Sequence, residues 1–393
     1  MLEGVMDFDV PVPWSPEAYY LVQRPSFTLD PFFHAGLYYV QDPSAMVVGW
    51  VFRHMLEKGC AHSRVLDLCA APGGKTTDIS ASLGQDESPY LLVANELVHQ
   101  RALALSDNVA RWGDPNVVVT NSDPVDFKGL GSFFDIVVAD VPCSGEGMFR
   151  KSENARNMWS EDNVNLCARR QRRIIADVWD SLKEGGVLIY STCTLNETEN
   201  DENVRWIRDE LGGLPIDLDF PFEGPRRTEF GLLMVPGEVR GEGQYVAALV
   251  KGSSLNKTES EDVYVPEFQF FDKNDEIYAL PLHVASDMPL LGKRLKVLNA
   301  GVHAFTVKGK NRIPYADLAL CPILQDDDFP DVTLSRQDAL RFLHKDAIRL
   351  SAEAPEGYLT VSYEGYKLGF VKNLGNRANN LHPAARRIMM NVE

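Results

Sequence analysis

Hydrophobic and polar positions between residues 134 and 194 follow the pattern of a strand, a helix and a second strand. Two apolar runs, residues 134–139 and 186–190, flank residues 164–182, where apolar side chains recur at helical spacing. The side chains predicted on the buried side of this helix are Leu166, Ile174, Ile175, Val178, Trp179 and Leu182. Such a βαβ unit has parallel strands and a right-handed crossover.

Each apolar run breaks off into a turn that contains a cysteine. Residues 140–145 read DVPCSG, and residues 191–194 read STCT. Because parallel strands end at the same edge of a sheet, we expect Cys143 and Cys193 to lie close together. That edge is where open α/β sheets bind their ligands.

The turn after an earlier predicted strand, residues 64–68, is rich in small residues. Residues 67–76 read DLCAAPGGKT, and the helix predicted from Lys75 directs its N-terminal amides at whatever the turn binds. A P-loop is excluded because that motif requires glycine where Cys69 stands, and the GxGxxG pattern is absent. A nucleotide-binding turn of another type remains.

Two further predicted strands end in acidic residues. Residues 91–95 lead to Glu96, and residues 116–120 lead to Asp123, with a helix predicted at residues 99–112. Glu96 is positioned to accept hydrogen bonds from ribose hydroxyls, although a surface glutamate at the start of the following helix has comparable weight. Asp123 can accept a hydrogen bond from the amino group of a base.

The predicted elements divide the chain into four parts. Residues 1–43 form a lead-in, residues 44–251 an α/β domain, residues 252–325 a linker and intermediate region, and residues 326–393 a small domain. The fold class is α/β, a Rossmann-like sheet with helices on both faces, plus a smaller β-rich C-terminal region. We favour packing over base stacking for the aromatic residues of the lead-in. Further helices are predicted at residues 43–58, 197–211 and 336–348, a linker at 253–262, and hairpins within 232–250 and 357–371.

Composition and charge argue against several classes of protein. The net charge of −17 over 393 residues argues against nucleic-acid binding by the whole surface, although basic residues cluster at residues 150–151, 169–173 and 293–312. No apolar run is long enough to span a membrane, and residues 1–12 lack a basic residue, so a cytoplasmic protein without a secretory signal is expected. The six cysteines show neither zinc-ligand spacing nor a disulfide framework, so free thiols and no metal ion are expected.

Three of these motifs resemble those of RNA (cytosine-5) methyltransferases that depend on S-adenosyl-L-methionine: residues 67–76, 140–145 and 191–194. Residues 25–46 and 145–151 resemble more narrowly the bacterial enzymes that modify small-subunit ribosomal RNA, and residues 369–387 resemble their PUA-like RNA-binding domain. Such proteins usually carry a further N-terminal RNA-binding domain. This chain is therefore expected either to lack that domain or to start upstream, with RNA affinity resting on the C-terminal region.

The resemblance implies methylation of cytosine C5 in RNA, with ribosomal RNA or the small ribosomal subunit as partner and a monomeric enzyme. Cys193 would attack C6 of the base, Cys143 would assist proton removal and product release, and Asp140 would hydrogen-bond the N3 and amino edge. The residues implied to hold S-adenosyl-L-methionine are Cys69, Ala70, Ala71, Pro72, Gly73, Gly74, Lys75, Glu96, Asp123 and Asp140.

Two alternatives stand beside this interpretation. An amino-group or ribose methyltransferase on the same fold needs no pair of thiols, and amino-group transfer favours an Asp/Asn-Pro-Pro-aromatic strand tip where residues 140–143 read DVPC. A non-catalytic RNA-binding scaffold would lack a nucleophile, whereas Cys193 is present.

Overall fold

The computed structural model describes residues 6–85, 88–257, 267–321 and 329–392. The acidic runs at residues 259–262 and 326–328 lie outside the described residues, as does the second half of the linker predicted at residues 253–262.

A pair of antiparallel strands and three short helical segments precede the main sheet. They are β1 (Phe8–Pro11), β2 (Tyr19–Leu21), a 3-10 helix (Phe27–Leu29), α1 (Pro31–His34) and α2 (Val47–Glu57). Helix α2 starts later than predicted, because Asp42 accepts a hydrogen bond from the Ser44 backbone (3.0 Å) and closes a turn ahead of the helix. Trp14 and Phe32 are buried, so the packing predicted for the aromatic residues is confirmed at these two positions.

Strands and helices alternate through the α/β domain. They are β3 (Arg64–Asp67), α3 (Gly74–Leu83), β4 (Leu91–Asn95), α4 (His99–Trp112), β5 (Val117–Thr120), a 3-10 helix (Pro124–Leu130), β6 (Phe134–Asp140), a 3-10 helix (Glu146–Met148), α5 (Glu153–Met158), α6 (Glu161–Trp179), β7 (Leu182–Thr192), α7 (Asp201–Leu211), β8 (Gly213–Ile216), β9 (Arg226–Arg227), β10 (Gly231–Met234) and β11 (Gln244–Lys251).

The strands lie in the order β5-β4-β3-β6-β7-β11-β10-β9, and β8 also pairs with β11. Strands β3 to β7 are parallel, whereas β11 is antiparallel to β7. Side chains alternate between the two faces. Val65 and Val138 pack with α2, α3 and α4, while Leu66 and Val137 pack with α6 and α7 on the opposite face. The prediction of a Rossmann-like sheet covered on both faces is confirmed.

The crossover helix of the βαβ unit differs from its prediction in two respects. Helix α6 ends at Trp179, so Leu182 begins β7 instead of ending the helix. Leu166 is 48% exposed, because Val164 and Cys167 take the inward positions of the first turns. The helical spacing thus predicts the buried face correctly for Ile174, Ile175, Val178 and Trp179, but not for Leu166.

The intermediate region continues the main sheet at its β5 edge. Its elements are β12 (Phe268–Lys273), β13 (Glu276–Pro281), α8 (Leu282–Arg294), β14 (Val297–Ala300), β15 (Val302–Lys308), β16 (Asn311–Pro314) and α9 (Ala316–Leu320). Strand β14 pairs antiparallel with β5, and the other four strands form a separate antiparallel sheet. Leu291 and Leu295 are buried in the same core cluster as α6 and α7.

A small β-rich unit ends the chain. It contains β17 (Asp331–Thr333), α10 (Arg336–His344), β18 (Gly357–Tyr363), β19 (Tyr366–Asn373), β20 (Ala378–Asn380) and a 3-10 helix (Ala384–Arg386). The predicted hairpin is confirmed in β18 and β19, but α10 ends before residue 348 because Lys345 has left-handed backbone geometry. Arg386 forms ion pairs with Asp107 of α4 and Asp317 of α9, which ties this unit to the rest of the molecule.

Candidate active site

Cys143 and Cys193 follow two neighbouring strands of the main sheet. Strands β6 and β7 pair in parallel up to Asp140 and Ser191. The two sulfur atoms lie 2.9 Å apart, and both cysteines are free thiols. The prediction that the two thiols meet at one edge of the sheet is confirmed.

The two thiols differ in acidity. The hydrogen bond from Cys143 lowers the pKa of Cys193; burial and Asp140 oppose this shift, and the Lys75 ammonium reinforces it. The same hydrogen bond, followed by burial, raises the pKa of Cys143. Since the thiolate is the nucleophilic form of cysteine, Cys193 is the better nucleophile of the pair.

The Asp140 carboxylate is held by three donors. Lys75 Nζ donates to Oδ2 at 2.8 Å, while Ser191 Oγ and Gln244 Nε2 donate to Oδ1 at 2.7 and 3.0 Å. Burial opposes ionisation, but Lys75 and these hydrogen bonds bring the pKa of Asp140 below its usual value. A carboxylate has about four lone-pair sites, so Oδ2 can accept one further hydrogen bond.

The Lys75 side chain has a contact that the sequence did not predict. Its motif suggested a backbone contribution to a ligand cradle, yet its ammonium group binds Asp140. Burial works against the charge, but Asp140 raises the pKa of Lys75 above its ordinary value. A permanent positive charge therefore lies beside the Asp140 carboxylate and close enough to Cys193 to favour the thiolate.

A buried carboxylate links the two cysteine-bearing turns through hydrogen bonds. Glu199 is fully buried, and it accepts hydrogen bonds from the Ser144 backbone N–H at 3.0 Å and from Asn196 Nδ2 at 2.9 Å. Ser144 Oγ lies 3.0 Å from Thr194 Oγ1. Since Ser144 and Thr194 each follow one of the cysteines directly, this network fixes the separation of the two sulfur atoms. Sequence reasoning missed Glu199, for which no local motif gave a signal.

The turn after the first cysteine packs closely on the end of β7. The Gly147 N–H donates to the Cys193 carbonyl oxygen at 3.0 Å. A Cβ atom at position 147 would lie 2.6 Å from the Cα atom of Gly243, which is closer than any side chain can approach. Glycine at position 147 is therefore required to bring the turn against Cys193.

The loop between β3 and α3 is held from α4. Arg101 Nη2 donates to the Ala71 carbonyl oxygen, and Asn108 Nδ2 donates to the Pro72 carbonyl oxygen, both at 2.7 Å. Gly73 has a φ of +118°, which favours glycine. Since the first amides of a helix have no partner within it, the loop presents the N-terminal N–H groups of α3 to a ligand in front of it.

Asp67, at the end of β3, lies directly behind this loop. It has no exposed surface, and its Oδ2 accepts a hydrogen bond from Thr76 Oγ1 at 2.7 Å. Its Oδ1 has no hydrogen-bond partner among the described residues. Burial raises the pKa of Asp67 to about 7. A buried carboxylate oxygen without a donor is costly, and protonation of Asp67 removes that cost.

Glu96 and Asp123 follow β4 and β5, and each makes a local contact. Glu96 Oε1 accepts from the Val98 N–H at 2.8 Å, and its Oε2 lies 3.2 Å from Arg101 Nη1. Asp123 caps the 3-10 helix Pro124–Leu130 through the Val125 N–H at 3.1 Å. The local role weighed for Glu96 is thus present in the structure. Ligand contacts of both carboxylates stay predictions.

Neither a metal cluster nor a membrane span is found in the part of the chain that the structure describes. Within those ranges, no group of three or more His, Cys, Asp and Glu side chains could hold a metal ion. No helix there has the length and apolar character needed to cross a bilayer.

Three family models match the chain. The model described as "16S rRNA methyltransferase RsmB/F" matches residues 55–250, and the "Methyltransferase RsmF PUA domain" matches residues 329–388. The "N-terminal domain of 16S rRNA methyltransferase RsmF" matches residues 3–43. Ribosomal RNA small subunit methyltransferase F of Shewanella loihica is 31% identical over 418 residues, an alignment that covers 95% of this chain and 82% of the relative. The chain belongs to the 16S rRNA methyltransferase RsmB/F family.

Two solved structures share the α/β fold of this RsmB/F chain. A methyltransferase homologue from Pyrococcus horikoshii is 26% identical, with a TM-score of 0.53 over 63% of this chain and 78% of the other. The crystal structure of NSun6 from Pyrococcus horikoshii with SFG is 27% identical, with a TM-score of 0.50 over 60% of each chain. The family resemblance and the fold predicted from the sequence are therefore confirmed.

Membership of the RsmB/F family makes the chain a methyltransferase that uses S-adenosyl-L-methionine. The PUA match lies within the region predicted to be PUA-like. Residues 3–43, which lie within the predicted lead-in, match the model of the N-terminal domain of 16S rRNA methyltransferase RsmF. The motifs of the lead-in are thus part of an N-terminal domain sequence in this family.

Proposed function

We propose that this protein methylates C5 of a cytosine in small-subunit ribosomal RNA through a transient covalent bond between Cys193 and C6 of the base. The observation that carries this proposal is the contact of 2.9 Å between two free thiols of opposite pKa shift, beside the Lys75–Asp140 pair. Transfer to an amino group or a ribose hydroxyl requires no such pair.

The loop before α3 fits the cofactor of the family. S-adenosyl-L-methionine, when bound, supplies an electrophilic methyl group. The N-terminal amides of α3, together with the backbone of residues 69–75, suit the carboxylate of its methionine part. The carboxylates of Glu96 and Asp123, which follow β4 and β5, suit its hydrogen-bond donors.

Cys193 activates the base by addition. Cytosine C5 is a weak carbon nucleophile, and a thiolate that forms a bond to C6 moves an electron pair toward N3 and O2, which makes C5 enamine-like. Asp140 is ionised, so its remaining lone pair accepts from the exocyclic amino group of the base. The Lys75 ammonium beside it supplies the positive charge that offsets the electron density developing on the ring.

Cys143 acts after C5 has gained the methyl group. The C5–H bond then breaks, its electron pair forms the C5–C6 double bond, and the Cys193 thiolate leaves. The hydrogen bond to the Cys193 sulfur is the largest cause of the high pKa of Cys143. Once the Cys193 sulfur is a neutral thioether, that effect is lost, so Cys143 becomes a stronger acid and its thiolate can accept the C5 proton.

Bisulfite sequencing of ribosomal RNA tests this proposal. RNA from cells that contain the gene should show one protected cytosine that becomes convertible when the gene is deleted, and a Cys193→Ala copy should not restore protection. A Cys60→Ala copy is the matched control, because that thiol follows α2 and lies near Asp135 at the start of β6, the opposite end of the strand from Cys143. Restored protection by Cys193→Ala, or no change on deletion, would contradict the proposal.

A further inference from the structure

An exposed tryptophan precedes α6, the crossover helix between the two strands that lead to the cysteines. Residues 156–162, between α5 and the start of α6, are all exposed, and the Trp159 side chain retains 40% of its accessible surface. Large aromatic side chains in monomeric proteins are usually more deeply buried. Neither the cofactor loop nor the reaction at the two cysteines uses this ring.

The ring is fixed in relation to the nucleophile. Trp159 Nε1 donates to Glu146 Oε1 at 2.8 Å, and the other carboxylate oxygen, Oε2, accepts from the Leu195 N–H at 3.0 Å. Leu195 follows Cys193 by two residues. Glu146 therefore connects the indole to the turn that carries the nucleophile.

The charge around this segment suits a polyanion. Acids outnumber bases in the chain as a whole, which has a net charge of −17, and Glu161 and Asp162 lie in the segment itself. Residues 146–177 nevertheless carry seven basic and five acidic side chains. The exposed ones are Arg150, Arg156, Arg169, Arg170 and Arg173. Of these, Arg150 and Arg173 have only long ion pairs, to Glu242 at 4.0 Å and to Asp177 at 3.7 Å.

We propose that Trp159 is a stacking platform for the RNA nucleotide next to the cytosine that enters the thiol pair, and that the exposed arginines contact the phosphates around it. This proposal rests on the proposed function. A cytosine that reaches two cysteines must leave its base stack, and its neighbour then loses a stacking partner. An indole ring beside the entrance replaces that partner without reading base identity.

Steady-state methylation kinetics test the platform. The probe is a synthetic single-stranded RNA with the sequence around the cytosine found by bisulfite sequencing. Trp159→Ala should raise the KM for this RNA about tenfold, equivalent to ~1.4 kcal/mol, with little change in kcat or in affinity for S-adenosyl-L-methionine. Trp159→Phe should retain most of the RNA affinity. Met158→Ala is the matched control, since Met158 is 72% exposed in the same segment but has no ring, and it should behave as wild type.

Two modified RNAs separate stacking from a structural effect. Each carries an abasic site on one side of the target cytosine. With one of them, the difference in KM between wild type and Trp159→Ala should disappear, because no base remains to stack. An equal difference on every RNA, or an equal loss in Met158→Ala, would overturn the platform. Bisulfite sequencing that finds no protected cytosine would refute the proposed function, whereas wild-type turnover with an unchanged KM in Trp159→Ala refutes the platform alone.

Discussion

Replacement of Lys75 by methionine should both destabilise the protein and make Cys193 less acidic. The Lys75 and Asp140 side chains are 15% and 25% exposed, and their charged atoms lie 2.8 Å apart. The variant keeps the length and much of the volume of the lysine stem but removes its charge. Asp140 is then left as a largely buried carboxylate without its cation.

The size of the stability loss follows from this geometry. Two unit charges 2.8 Å apart attract by about 6 kcal/mol at an effective dielectric constant of about 20. The cost of desolvating the lysine is also removed, and loss of one partner of a buried pair typically costs about 3–5 kcal/mol. We expect a loss of ~3 kcal/mol, part of which Lys75→Met/Asp140→Asn should recover, because the double variant buries no isolated charge.

Two measurements on the cofactor-free protein check this expectation. Urea unfolding gives the free energies for wild type, both single variants and the double variant. Alkylation of Cys193 by iodoacetamide, followed by peptide mass spectrometry across a pH series, gives the acidity of the thiol. The alkylation midpoint should move to higher pH in Lys75→Met, since a positive charge that favours the thiolate is gone. A loss below about 1 kcal/mol, the value of an exposed pair, together with an unchanged alkylation profile, would refute the reasoning.

Three further predictions concern the same edge of the sheet. Cys143→Ala should leave enzyme bound to RNA in an adduct that survives denaturing gel electrophoresis, and the adduct should be absent from Cys143→Ala/Cys193→Ala. Glu96→Ala should weaken S-adenosyl-L-methionine binding by about tenfold if one charge-assisted hydrogen bond is lost, and equal calorimetric affinities would remove Glu96 from the site. Asp67 has a pKa of about 7 in the folded protein, so it binds its proton more tightly there than in the unfolded chain. Protonated Asp67 therefore contributes fully to the free energy of unfolding below about pH 4, and this contribution is lost as pH rises through about 7. The unfolding free energy of the cofactor-free wild type relative to Asp67→Asn should therefore fall by about 3 kcal/mol between about pH 4 and pH 7, and parallel curves would contradict the assignment.

The local pattern of hydrophobic and polar residues was sufficient to predict much of the α/β sheet. The bounds predicted for β4 and α4 agree with the structure, since an apolar run and an amphipathic repeat each lie within one element. The pairing of β14 with β5 was not predicted, because contact between strands far apart in the chain leaves no local pattern. At the start of α6, the apolar side chain of Leu166 predicts burial. The structure shows it on the exposed side of the helix.

The candidate site was likewise predicted in part from local motifs. Motifs identified Cys143, Cys193 and the loop before α3, and the βαβ rule brought the two thiols to one edge. The partners that set their chemistry came from elsewhere in the chain. Glu199 acts through contacts across separate turns, so its role depends on distances that a sequence does not contain.

Trapping with 5-fluorocytidine tests the central claim most directly. In RNA that carries this base at the target position, fluorine replaces the C5 hydrogen, so the step that releases the thiol cannot occur. Peptide mass spectrometry of the protein incubated with this RNA and S-adenosyl-L-methionine should find the methylated nucleotide attached to Cys193, with no adduct in Cys193→Ala. Attachment to Cys143, or no adduct from an enzyme that methylates ordinary RNA, would contradict the account.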